Sequence, residues 1–117
     1  MSRGINKFGQ FRVRFGTIDV PHLGYTVRVK RLRRGVDGAD PGWIAYAKDV
    51  GGGVAELYFN EWCSPPTVAH EVVHVVQYIC RRKSIAMVKE MEHVAYLTDY
   101  LTAKVLGYRP DTTGVVR

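Results

Sequence analysis

The sequence predicts an α+β domain, in which a small antiparallel sheet is followed by two helices. Apolar and polar residues alternate through much of the N-terminal half, which is the period of a half-buried strand. Apolar residues recur at helical spacing through the C-terminal half, and glycine-rich segments separate the elements. A chain of 117 residues builds one modest core. We therefore expect a single domain over residues 1–107 and a C-terminal tail over residues 108–117.

Four short stretches are predicted to be strands, the first two from their alternation of apolar and polar residues. They cover residues 11–15, 25–32, 43–47 and 54–59. Residues 48–53, which end in Gly51-Gly52-Gly53, favour a hairpin between the last two strands. Residues 35–42 contain glycines, aspartates and a proline, so their composition predicts a loop.

The first helix is predicted to begin at Pro65, with Ser64 as its N-cap. Its apolar residues have helical spacing and are Val68, Val72, Val75, Val76 and Ile79. Valine has weak helix propensity, so burial has to stabilise this helix. Basic residues 81–83 mark its end, where positive charge suits the helix dipole.

A second helix is predicted over residues 86–106, ended by Gly107 and followed by Pro110. Its predicted buried stripe contains Met87, Met91, Val94, either Leu97 or Thr98, Leu101 and Val105. The same spacing places Glu92, Ala95, Tyr96 and Asp99 on another stripe of the helix.

The net charge of +6 is uneven along the chain, with one basic run before residue 35 and a second over residues 81–83. The first run, called the basic run below, contains Arg28, Lys30, Arg31, Arg33 and Arg34. Such a patch fits nucleic acid or an acidic protein partner, although a solvated strand end explains it as well.

The sequence shows neither a signal peptide nor an apolar stretch long enough to cross a membrane. Cys63 and Cys80 are too few for a disulfide scaffold, so we expect two free thiols. These features favour a cytoplasmic protein that does not bind membranes.

The motif that indicates a function is His70-Glu71-Val72-Val73-His74, which lies in the first predicted helix. Side chains four residues apart share a helix face, so His70 and His74 can bind one metal ion. Glu71 lies beside them, where a carboxylate can take a proton from metal-bound water. Two unpaired histidines among valines would otherwise be costly.

A catalytic zinc site uses three protein ligands and leaves a position for water. The second helix offers Glu92, His93 and Glu90 as the third ligand, and we favour Glu92. Ala95, one turn later, would let the two helices approach closely. Asp99 is a candidate to hold the outer nitrogen of a ligating histidine.

The combination of His70-Glu71-Val-Val-His74 with Glu92-His-Val-Ala95 resembles the zincin metallopeptidases of the Glu-zincin branch. It is similar to small zincin-like phage and prophage proteins, and to ImmA/IrrE-type metallopeptidases. The resemblance covers roughly residues 54–106. It implies one Zn²⁺ held by His70, His74 and Glu92, with Glu71 as general base. It also implies that a peptide adds as a strand beside residues 54–59.

The leading hypothesis is therefore a small zinc-dependent metallopeptidase that hydrolyses one specific protein, in the host cytoplasm if the chain is phage-encoded. Tyr78, Tyr96 and Tyr100 are candidates to stabilise the oxyanion, although core packing also explains them. The alternative is a non-catalytic protein with a zincin scaffold, which inhibits a host defence complex or binds nucleic acid through its basic face. A degenerate peptidase without metal is a third, weaker hypothesis.

Overall fold

A computed structural model describes residues 5–33, 44–85 and 89–107, except for the side chain of residue 22. The strands are β1 (Phe11–Arg12), β2 (Gly16–Val20), β3 (Tyr25–Arg31), β4 (Ala45–Gly51), β5 (Val54–Phe59) and β6 (Trp62–Cys63). The helices are α1 (Pro65–Lys83) and α2 (Met91–Leu106), and a 3-10 turn covers Pro21–Leu23. The predicted loop over 35–42, residues 86–88 and the tail over 108–117 lie outside the described residues.

The α+β class is confirmed. The larger sheet has the strand order β2-β3-β5-β4, and a two-stranded sheet pairs β1 with β6. Neighbouring strands are antiparallel except for β3 and β5, which run parallel with Val27 opposite Ala55. Strand β2 was not predicted as a strand, and β1 covers only the start of the predicted stretch 11–15.

The hairpin between β4 and β5 is confirmed, since these strands are antiparallel neighbours. Gly51, Gly52 and Gly53 all have positive φ angles of 90°, 63° and 84°. Residues with a Cβ rarely adopt this backbone conformation, so glycine at these positions lets the turn close.

Helix α1 covers the inner face of the large sheet, and α2 packs against α1. The predicted apolar side of α1 is confirmed, because Val68, Val72, Val75, Val76 and Ile79 are all 0% exposed. Ser64 accepts a hydrogen bond from the Thr67 N–H and caps the helix, as expected. This burial fixes the rotation of α1 about its axis and so determines which residues face outward.

The buried side of α2 differs in part from the prediction. Leu97, Leu101 and Val105 are 0% exposed, but Met91 is 68% exposed. Met91 is the first residue of the helix, before the turns that pack against the core. The helix ends as predicted at Gly107, which has a left-handed conformation with φ of 75°.

Candidate active site

The histidines of the motif lie together on the outward side of α1. His70 and His74 have ring centroids 5.2 Å apart, and the two rings meet edge to face at 78°. His70 is exposed, whereas His74 and Glu71 are half-buried. The predicted pairing of the two imidazoles on one helix face is therefore present.

Glu71 and His70 line a small open cavity of about 300 Å³ beside the start of α1. The other lining residues are Ile44, Pro66 and Thr67. Ile44, which directly precedes β4, is 60% exposed and forms the apolar wall. A carboxylate and an imidazole thus border a space large enough for water and a small part of a substrate.

His74 has a polar neighbour that the sequence analysis missed. Its Nδ1 lies 3.3 Å from Oε1 of Gln77, one helical turn further along α1. An amide oxygen there accepts a hydrogen bond from a protonated Nδ1, and in that tautomer Nε2 is the basic nitrogen. The spacing of three residues on one helix was the signal that could have identified Gln77.

The predicted third ligand is not gathered with the two histidines. Within residues 5–33, 44–85 and 89–107, no three His, Cys, Asp or Glu side chains are close enough together to hold a metal ion. Glu92 is exposed on α2, and so is Asp99. His93, the rival ligand, has its Nδ1 4.0 Å from Oε1 of Glu90, the residue just before α2.

The expected role of Ala95 in close helix packing is wrong. Ala95 is exposed, as are its stripe neighbours Glu92, Tyr96 and Asp99. The stripe that was predicted from spacing exists, but it faces away from the core instead of towards α1, because Leu97 and Leu101 occupy the buried side.

The expectation that a peptide adds to the edge of β5 is also wrong. Both edges of β5 are occupied, by β3 on one side and by β4 on the other. The outer strand next to α1 is β4, whose free side has no strand partner among the described residues. A bulge between Asp49 and Gly51 interrupts its pairing with β5.

The three candidate tyrosines have different surroundings. The Tyr100 hydroxyl donates a hydrogen bond to the Asp19 carbonyl at 3.0 Å, and Tyr96 stacks on Tyr100 with 6.3 Å between centroids. Burial, with the charges of Asp49 and Glu71, raises the pKa of Tyr78. The Glu71 carboxylate thus disfavours the ionised form of the Tyr78 hydroxyl.

Both cysteines are free and buried, as expected for unpaired thiols. Burial raises the pKa of Cys63 and that of Cys80. A raised pKa keeps the thiol protonated, which disfavours metal binding and nucleophilic attack. Neither cysteine therefore offers a ready thiolate.

Residues of the basic run form ion pairs with two different carboxylates. Arg28 and Lys30 pair with Glu56, at 3.8 Å and 3.0 Å. Arg31 pairs with Glu61 at 3.8 Å. Arg33 is exposed, and Arg34 lies outside the described residues.

No family model, curated protein or solved structure matches this chain. None of the helices in the described part of the chain is long and apolar enough to cross a membrane.

Proposed function

We propose that this chain is a small zinc-dependent metallopeptidase. The observation that carries the proposal is the paired imidazoles of His70 and His74, with Glu71 on the wall of the adjoining cavity. The type and spacing of these groups suit a zinc hydrolase. The substrate would be a peptide segment of a specific protein.

Two of the three proposed zinc ligands lie close together. His70 and His74 would hold Zn²⁺ through their imidazole nitrogens, and Glu92 is the proposed third ligand. Glu92 is not gathered with them, so zinc binding has to draw the start of α2 towards α1. Met91 and Glu92 are exposed, so the first two residues of α2 have few contacts that would resist such a movement, whereas Val94 in the same turn packs against the core.

The other residues act on protons and on orientation. Zinc, when bound, would supply an acidified water and polarise the scissile carbonyl. Glu71 borders the cavity and would take a proton from water and pass it to the leaving amine. Gln77 would hold the tautomer of His74. The outer edge of β4, beside the cavity wall at Ile44, is where an extended peptide would lie.

The first test is the zinc content of the purified protein and of matched variants. We expect about one zinc ion per chain, lost in His70→Ala and in Glu92→Ala. Glu90→Ala is the matched control, because it removes an exposed carboxylate from the same segment and should keep the metal. Glu71→Gln should keep zinc and lose at least ~100-fold of any hydrolysis of a fluorogenic peptide library.

The outcomes separate the parts of the proposal. Absence of zinc from the wild type after reconstitution would overturn the metal site. Zinc retained in Glu92→Ala but lost in His70→Ala would assign the third ligand elsewhere. Full hydrolytic activity in Glu71→Gln would remove Glu71 from the mechanism.

A further inference from the structure

Glu61 is the second carboxylate that pairs with the basic run. It lies at the centre of a surface that has no role in the proposed peptidase. Glu61 lies between two arginines, with its Oε2 3.3 Å from Arg12 Nη2 and its Oε1 3.8 Å from Arg31 Nη1. Each arginine also lies over an aromatic ring. Arg12 is 5.2 Å from the centroid of Trp62, and Arg31 is 4.9 Å from that of Phe15. We call these five residues the arginine–aromatic surface.

The backbone holds the two arginine–ring pairs next to each other. The Val13 N–H donates a hydrogen bond to the Glu61 carbonyl at 2.9 Å. This bond holds the segment that contains Arg12 on one side of Glu61. The Leu32 N–H donates to the Phe59 carbonyl at 2.8 Å, which fixes the end of β3 on the other. Strand pairing also places Arg12 opposite Trp62. The arrangement is therefore built by main-chain pairing and does not depend on the ion pairs alone.

The surface is open to a ligand and carries a net positive charge. The side chains of Arg12 and Arg31 are 60% and 57% exposed, and that of Glu61 is 41% exposed. Phe15 is 37% exposed and Trp62 is half-buried. Two guanidinium groups face one carboxylate, which leaves one positive charge. Arg33, exposed and two residues beyond Arg31, adds another.

We propose that single-stranded nucleic acid binds to the arginine–aromatic surface. A single strand offers a phosphate and an unpaired base in each nucleotide, and this surface offers a guanidinium beside each aromatic ring. Guanidinium groups pair with phosphates, and rings and guanidinium planes stack with bases. A duplex keeps its bases stacked inside, and an acidic peptide has no base to stack, so neither uses the rings. The proposal is independent of the metal site on α1.

The test measures fluorescence anisotropy of a labelled oligodeoxynucleotide, single-stranded or annealed, over a series of salt concentrations. We expect binding of the single strand that weakens as salt is raised. Arg12→Gln/Arg31→Gln should weaken it at least ~10-fold, because two phosphate contacts are lost. Arg81→Gln/Arg82→Gln removes the same charge from exposed positions at the end of α1, and should change binding less than ~2-fold.

A second variant keeps the charge and removes one ring. Phe15→Leu should weaken single-strand binding by ~5-fold or more and leave the salt dependence unchanged. This variant also keeps the proposal testable if the double arginine variant does not fold. Quenching of Trp62 fluorescence by the oligonucleotide, in a Trp43→Phe background, reports stacking directly.

Three results would overturn the proposal. If both double-arginine variants lose the same affinity for the single strand, the net charge of the protein attracts the oligonucleotide and there is no specific site. Equal or tighter binding of the duplex would remove the role of the rings. Binding of an acidic peptide at the affinity of the single strand, unaffected by Phe15→Leu, would assign the surface to an acidic protein.

Discussion

Glu56 and Glu61 each lie between two basic side chains, but their surroundings are different. The Glu56 side chain is 9% exposed, whereas that of Glu61 is 41% exposed. Glu56 also accepts a 2.5 Å hydrogen bond from the Tyr58 hydroxyl. A buried carboxylate depends on its partners for stability, whereas an exposed one can exchange them for water. The same ion-pair chemistry is therefore structural at Glu56 and open to replacement by a ligand at Glu61.

The packing around Glu56 supports its structural role. Tyr58 is 3% exposed, and its ring stacks on Tyr46 with centroids 4.4 Å apart. Leu32 completes a small apolar cluster with these two rings on the outer side of the sheet. The Glu56 carboxylate lies next to this cluster. Arg28 and Lys30 therefore form ion pairs with a carboxylate that stabilises the fold.

The largest expected effect in this comparison is that of neutralising Glu56. Glu56→Gln keeps the shape of the side chain and removes its charge, so a charge-assisted hydrogen bond and two ion pairs are weakened. We expect the free energy of unfolding to fall by about 1–3 kcal/mol. Urea denaturation monitored by circular dichroism measures it. If the free energy of unfolding falls no more than it does when an exposed ion pair is removed, the fold does not depend on Glu56.

Acidification provides a second, smaller test at the same residue. The hydrogen bond from Tyr58, and then the neighbouring Lys30, hold the pKa of Glu56 below its ordinary value. A depressed pKa contributes stability above the pKa of the unfolded chain, and this contribution is lost as the pH falls through the folded pKa. The stability difference between wild type and Glu56→Gln should therefore shrink between about pH 6 and about pH 3.

Urea titrations of both proteins at the two pH values measure this change. Tyr58→Phe is the matched control, since removing the hydroxyl should move the loss of stability towards higher pH. A difference between wild type and Glu56→Gln that stays constant over this range would contradict the assigned pKa.

The smallest expected effect is that of Glu61→Gln. Its partners are exposed, so the free energy of unfolding should change by less than about 0.5 kcal/mol. Removing this charge should instead tighten single-strand binding, because Arg12 and Arg31 lose a competitor for phosphate. Denaturation and anisotropy measured on the same sample check both parts. A large loss of stability would remove the contrast with Glu56.

The parts of the fold that could be predicted depend on neighbours in sequence. Ser64, Pro65 and the valines of α1 determine the start and the buried face of the helix through local rules, and the pairing of His70 with His74 follows from them. Gln77 was equally accessible, one turn beyond His74. The glycines at 51–53 indicated the hairpin in the same way.

The features that could not be predicted depend on which distant elements meet. The basic run looked continuous in sequence, but the parallel register of β3 and β5 places Arg28 opposite Glu56. Arg31, at the end of β3, meets Glu61 instead. The position of Glu92 relative to the histidines likewise depends on how α2 packs on α1, because helical spacing gives only its face.

The parallel pairing of β3 with β5 also has a consequence for the order of folding. Strands β4 and β5 are joined by a short turn, so their pairing costs little loop entropy and can form early. Strand β3 joins β5 only after the chain between Arg31 and Val54 has closed into a loop. Pairings between distant segments slow the search for the native topology. The step that completes the sheet is thus also the step that brings Arg28 and Lys30 to Glu56, so ion pairing and sheet closure occur together.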